Sequence, residues 1–364
     1  MKFICYLLFF SVTALAQPLP QRIDSLMQAQ AKPNEPGFAL LVMQKGKVLL
    51  QKGYGLADIQ QQTAITPQTN FRMASVSKQF TAMSVMILEK AGKLSLEDDL
   101  LKFFPEFNPK VGKSIKIKHL LTHSSGVWDY EELIPATQQT QVLDADVLSL
   151  LKDKAEVYFE PGTKFQYSNS GFCLLAMVIE RVSGKPFAEF LAQQIFEPLG
   201  MENTFVYDAA KLQTNRAMGY SRSKNGEIVF SDQSITSATK GDGCVYTSLT
   251  DYQKWHKALL KNRFVNLEKM LSMTSHPIEN QANKQYGLGW FFSKRIDGSL
   301  EMSHTGSTCG FANIVVRIPK EQLLIVYFSN IANNSKPYQE LFKLFQTLPD
   351  FPKAQLWDVE SLTR

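Results

Sequence analysis

The chain has 364 residues, 44% of them hydrophobic, with 39 Lys+Arg against 34 Asp+Glu. That length suffices for one large domain or two ordinary ones with a buried core, and the composition excludes a disordered or low-complexity chain. The slight positive balance forms no basic cluster with interleaved aromatics, which argues against a nucleic-acid partner.

The opening stretch MKFICYLLFFSVTALAQ pairs Lys2 with an apolar run from Phe3 to Ala16 that ends in Ala14-Leu15-Ala16. The run is shorter than the ~20 residues a spanning helix needs and closes on a small-residue cleavage site. Residues 1–16 therefore read as a signal peptide, with export to the periplasm or outside the cell and no membrane span after cleavage. Cleavage removes Cys5 and leaves Cys173, Cys244 and Cys309, an odd number, so a disulfide framework is not expected to hold the fold.

Downstream, Arg22 to Ala31 reads as a helix, and FALLVMQKGKVLLQKGYGLAD as two strands joined at Lys45-Gly46-Lys47. MASVSKQF then heads a nearly all-apolar helix that stops at Gly92. The middle is helical and loop-rich: DADVLSLLKD, GFCLLAMVIERVSG and PFAEFLAQQIFEPLG carry helical apolar spacing with glycine stops. Strand character returns in EMSHTG, FANIVVRIP and QLLIVYFSN, with Pro319-Lys320-Glu321 as a turn, before KPYQELFKLFQTL closes the chain as an amphipathic helix.

Strands at both ends with helices between predict an α/β (α+β) fold. Its antiparallel β-sheet is built from both chain ends, flanked by helices, with an inserted mainly helical lobe. The expected organisation is a single domain over 17–350, with a sheet lobe from about 17–75 and 225–350. The helical lobe covers about 76–224, and 351–364 form a short tail. A cleft is expected where the lobes meet.

Ser75 and Lys78 are spaced i, i+3 and so project from one side of the helix start. A serine hydroxyl is a poor nucleophile until a neighbour takes its proton, and a lysine can do so if burial lowers its pKa. S-x-x-K alone is weak evidence. It is followed here by Tyr167-Ser168-Asn169 and then by His304-Thr305-Gly306.

In these three elements and their order, the sequence resembles the serine β-lactamase and penicillin-recognising superfamily. The tyrosine in the second element is similar to the branch of class C β-lactamases, D,D-peptidases and esterases. The phrases IKIKHLLTHSSG, IFEPLGMENT, GDGCVYTSLTDYQKW and YGLGW extend the resemblance from about Phe38 to Asn330. The resemblance implies that Ser75 is acylated and that Lys78 and Tyr167 share the base and acid work. It further implies that Asn169 positions Lys78 and bonds the substrate's amide carbonyl. The backbone N–H groups of Ser75 and Ser307 would form the oxyanion hole, and Thr305 and Gly306 would border the substrate. His304 departs from the lysine of many β-lactamases. With a reference pKa near 6.5 it is expected to relay a proton to Tyr167 or the leaving group, which shifts weight away from a dedicated β-lactamase.

The expected activity is an exported serine hydrolase acting on D-amino-acid-containing peptides or amides, such as peptidoglycan stem termini, with no metal and no organic cofactor. Carboxylic esters and β-lactams are alternatives within the same chemistry. A catalytically idle cell-wall-peptide binder is the alternative outside it. His119 and His123 have the i, i+4 spacing of a zinc pair, but the intervening residues lack the glutamate of H-E-x-x-H. Trp128, Tyr130, Tyr286 and Trp290 flank the motif segments and are expected in the core or along the cleft.

Overall fold

The computed structural model describes residues 17–211, 213–281 and 283–357. The expected signal peptide and the last seven residues of the expected tail lie outside the described residues. The chain opens with α1 (Leu19–Gln30), β1 (Phe38–Gln44) and β2 (Lys47–Tyr54). It continues through α2 (Lys78–Lys90), α3 (Asp144–Leu151), α4 (Asn169–Ser183) and α5 (Leu249–Leu260). Six strands follow: β3 (His276–Pro277), β4 (Lys284–Gly287), β5 (Trp290–Lys294), β6 (Leu300–Thr308), β7 (Phe311–Ile318) and β8 (Leu323–Ser329). The last long helix is α6 (Lys336–Thr347).

The main sheet has eight strands in the order β3-β4-β5-β6-β7-β8-β1-β2, with every pairing antiparallel. The two chain ends meet where β1 lies against β8, from Phe38 opposite Ser329 to Met43 opposite Leu324. The expected sheet from both termini is the one observed. Its central strands are apolar on both faces because each face has its own cover. Ala39, Leu41 and Met43 of β1 join Leu324, Val326 and Phe328 of β8 in a large core shared with α2 and α4. The alternate residues Phe38, Leu40, Val42, Leu323, Ile325 and Tyr327 pack under α1 and α6, through Ile23, Met27, Phe342 and Phe345.

Two local expectations change. The short strands β3, β4 and β5 were not foreseen, because Gly287 and Gly289 interrupt the segment before any alternation can build. The helix expected over PFAEFLAQQIFEPLG is α-helical only over Phe187–Leu191, then widens into a π turn and ends in a 3₁₀ turn at Glu197–Leu199. Pro198 lacks the N–H that a continuing α-helix requires.

Candidate active site

Ser75 sits on a 3₁₀ turn, Ala74–Ser77, that runs directly into α2. Ala74 before it holds a left-handed backbone, φ +48°. An L-residue pays conformational strain there, of about 1 kcal/mol or more, so surrounding structure must enforce the turn. Met73 N–H donates to the Val245 carbonyl at 2.9 Å, and Val245 N–H donates to Ser77 Oγ at 3.1 Å. The third motif presses on the same turn. A Cβ on Gly306 would lie 2.2 Å from the Met73 carbonyl oxygen, so only glycine lets β6 approach this closely.

Lys78 is fully buried, and its ammonium donates to Ser75 Oγ at 3.0 Å, Asn169 Oδ1 at 2.8 Å and the Asp242 carbonyl at 2.9 Å. All three protons have acceptors, and the rings of Tyr167 and Phe172 lie 5.0 and 5.5 Å from Nζ. The structure thus brings Ser75, Lys78 and Asn169 into one hydrogen-bonded set with Tyr167 beside it. Asn169 heads α4, and its Nδ2 donates to Glu131 Oε1 at 3.1 Å, which fixes the amide orientation from both ends.

β6 outruns its neighbour. β5 pairs with it only as far as Ser303, so the edge from His304 to Thr308 has no strand beside it there. Thr305 and Ser307 are exposed along this edge, and Ser307 lines the same cleft as Ser75, with backbone groups an extended substrate can pair with.

His304 is buried, with Nδ1 2.6 Å from the Thr305 carbonyl and Nε2 3.1 Å from the Tyr286 hydroxyl. The carbonyl requires a hydrogen on Nδ1, which leaves Nε2 to accept from Tyr286. Burial, with Lys78 nearby, pushes the imidazole pKa down to about 3. The relay expected of His304 is therefore corrected. Both ring nitrogens are engaged away from Tyr167, whose ring centroid is 6.2 Å distant. His304 holds β6 and Tyr286 in place as a neutral ring.

His123, set aside as half of a zinc pair, stands beside the reacting groups. Its ring packs at a tilt against Tyr167, centroids 4.1 Å apart, Nδ1 accepts from Ser168 N–H at 3.2 Å, and its backbone is left-handed at φ +53°. His119 turns elsewhere and accepts from Lys116 N–H at 3.2 Å. Tyr130 lines the cleft, Tyr286 and Trp290 are buried in the core, and Trp128 stacks on Tyr158 at 4.5 Å. Cys173 and Cys244 are buried free thiols, and burial raises both, Cys244 to about 12. Cys309 is a half-exposed free thiol, 3.7 Å from Ser237 Oγ.

Sequence reasoning missed the acidic wall of the cleft. Asp129 Oδ2 accepts from Asn169 N–H at 2.7 Å, and its Oδ1 accepts from Glu131 N–H at 3.0 Å. Asp242 lines the cleft opposite; Tyr130 donates to its Oδ2 at 3.4 Å, while Oδ1 has no partner among the described residues. Burial raises the pKa of Asp129 and Glu131; the Asp242 charge adds to both, and the Asp129 charge adds to that of Glu131. Arg72 lines the same cleft, with its Nη groups donating to Gln233 and the Ser237 carbonyl, both at 2.8 Å. The run WDYEE, next to the phrase HLLTHSSG, was the available signal for two of these carboxylates.

Comparisons with known proteins bear on the family and the fold. The Beta-lactamase family model matches residues 21–344. Penicillin-binding protein 4* of Bacillus subtilis (strain 168) is 27% identical over 339 residues, 89% of this chain and 74% of that protein. Protein flp of Staphylococcus aureus (strain N315) is 27% identical over 340 residues, and the match spans 89% of this chain and 66% of that protein's length. Among solved structures, the octameric penicillin-binding protein homologue from Pyrococcus abyssi superposes with a TM-score of 0.76 at 26% identity, covering 91% of this chain and 77% of that one. The D-amino acid amidase from Ochrobactrum anthropi SV3 shares the fold, with a TM-score of 0.74 at 21% identity over 90% of this chain and 99% of that one.

Proposed function

The chain belongs to the Beta-lactamase family and is a serine hydrolase, and within that class we propose a hydrolase of amides or peptides whose D-aminoacyl group carries a free ammonium. Ser75 Oγ attacks the carbonyl carbon while its proton passes to Lys78 in its amine form, after that group has given up one of its three protons, or to Tyr167 as the phenolate. The amine leaves with a proton, and water then hydrolyses the acyl-serine ester to release the acid and restore Ser75. Backbone N–H groups at Ser75 and Ser307 are the proposed donors to the oxyanion. Asn169 is the proposed link between Lys78 and the substrate's carbonyl.

The carboxylate wall carries the choice of substrate. Asp129 and Glu131 accept from Asn169, the backbone carbonyl of Asp242 accepts from Lys78, and Asp242 Oδ1 still lacks a donor among the described residues. A substrate ammonium supplies one and relieves the repulsion. A substrate carboxylate meets the wall unfavourably, and the third motif offers it a neutral histidine instead of a lysine. This argues against β-lactams, whose recognised group is an anion. Arg72 favours one second reading, a D,D-peptidase that takes a peptide terminus, because its guanidinium lines the cleft without a carboxylate partner among the described residues. Export through residues 1–16 is part of the proposal and rests on the sequence of that segment.

The test compares D-alanine p-nitroanilide with its N-acetyl derivative and with N-acyl-D-Ala-D-Ala. The free amine is expected to have the highest kcat/KM. Glu131→Gln should lower that advantage by on the order of tenfold, since it removes one partly buried charge partner. Preference for the acetylated compound would overturn the ammonium reading, and preference for the dipeptide would install the second.

A further inference from the structure

At the far end of the sheet from Ser75, the β5–β6 hairpin, the start of β6, the end of β7 and the turn after α5 border a cavity of about 500 Å³ that is open to solvent. Such a volume is ordinary for a small-molecule site. Arg317 of β7 lines it and is only 1% exposed. Its Nε donates to His256 Nδ1 at 3.0 Å, its guanidinium lies 5.4 Å from the centre of the Trp290 ring, and Nη1 has no hydrogen-bond partner among the described residues. Because His256 Nδ1 accepts, its Nε2 carries the hydrogen, and that donor also lacks a partner among the described residues. A buried positive charge with two idle donors is costly unless an anion completes it. Burial correspondingly lowers the Arg317 pKa to about 10.

We propose that this cavity binds an apolar monocarboxylate, its carboxylate on the Arg317 guanidinium and its hydrocarbon part against Leu259, Leu267, Leu300 and Met302. With Nε occupied by His256, the two Nη groups remain to grip two carboxylate oxygens in a fork. These four side chains line part of the cavity, beside the polar Asn262, Asn266 and Ser299, and give a short hydrocarbon chain a contact that a compact phosphate cannot use. Charge count points the same way. Glu268 at the rim is exposed and acts on Arg317 from beyond hydrogen-bond reach, while Asp297 is held by Lys320 at 2.9 Å. Among the described residues that line the cavity, this leaves Arg317 as the cation without a direct carboxylate partner, facing Glu268, which suits a monoanion and disfavours a dianion.

The test is calorimetric titration of the full chain with hexanoate, hexanamide and inorganic phosphate at fixed ionic strength, with Trp fluorescence recorded to follow Trp290. Hexanoate should bind saturably with a fluorescence change, and at least about tenfold more tightly than hexanamide or phosphate. Arg317→Met should abolish the difference between hexanoate and hexanamide. Glu268→Gln, an exposed change that leaves folding alone, should tighten hexanoate about threefold by removing a rim charge. Equal binding of hexanoate and hexanamide would overturn the proposal, as would tighter phosphate binding or a Glu268→Gln variant that binds hexanoate no better.

Discussion

Lys78 has three ammonium protons and three acceptors, so its position is set before any substrate arrives. The motif spacing made Ser75 and Lys78 visible because neighbours one turn apart must share a side. The carboxylates were not visible in the same way. Asp129 and Glu131 come from a loop and Asp242 from another, and only the fold brings them to Asn169. His304 shows the other limit of sequence: the residue type suggested a titrating ring, but its protonation is decided by Tyr286, the Thr305 carbonyl and burial. Between about pH 6.5 and 3 the unfolded imidazole binds a proton that native His304 refuses, so its contribution to stability is present above that window and is lost as pH falls through it. An NMR titration of its ring should show a neutral imidazole from pH 8 to pH 5, and a midpoint near 6.5 would contradict this. Asp144 works in the opposite sense. Burial raises its pKa from 3.8 to about 7, so the native state holds a proton the unfolded chain has lost, and stability falls as pH rises through that range. Asp144→Asn should therefore raise the melting temperature relative to the parent more at pH 8 than at pH 5, by a difference worth on the order of 2 kcal/mol. An equal shift at both pH values would refute the burial account.

At the scale of elements, β6 is the strand that joins fold to chemistry. Its first half pairs with β5 and its second half is free toward the cleft, and Gly306 marks where it meets the nucleophile turn. This strand was readable from EMSHTG, while the early end of β5 that frees its edge was not. Gly306→Ala forces a methyl against the Met73 carbonyl, so either β6 or the Ser75 turn must move. A displacement near 1 Å should cost on the order of 100-fold in kcat/KM while the far-UV circular dichroism stays native. Activity within about twofold of the parent would show that the close approach is dispensable.

Over the whole molecule, the chain ends are neighbours in one sheet, and a single large core runs from β1 through α2 and α4 to β8. The continuous apolar runs in FALLVMQ and QLLIVYFSN made the strands legible, and their burial on both faces follows from α1 and α6 on one side and α2 and α4 on the other. No helix among the described residues is long and apolar enough to cross a membrane. Since the helical lobe and the sheet share that core, neither should melt alone. Calorimetry should show one transition whose calorimetric and van't Hoff enthalpies agree, and two separated transitions would mean independent lobes.

The most direct measurement is peptide mass mapping of enzyme quenched during turnover of a D-alanine ester. The peptide containing Ser75 should gain one D-alanyl group, and the adduct should vanish in Ser75→Ala. An adduct on Cys309, or turnover that survives Ser75→Ala, would contradict the acyl-enzyme at the centre of this account.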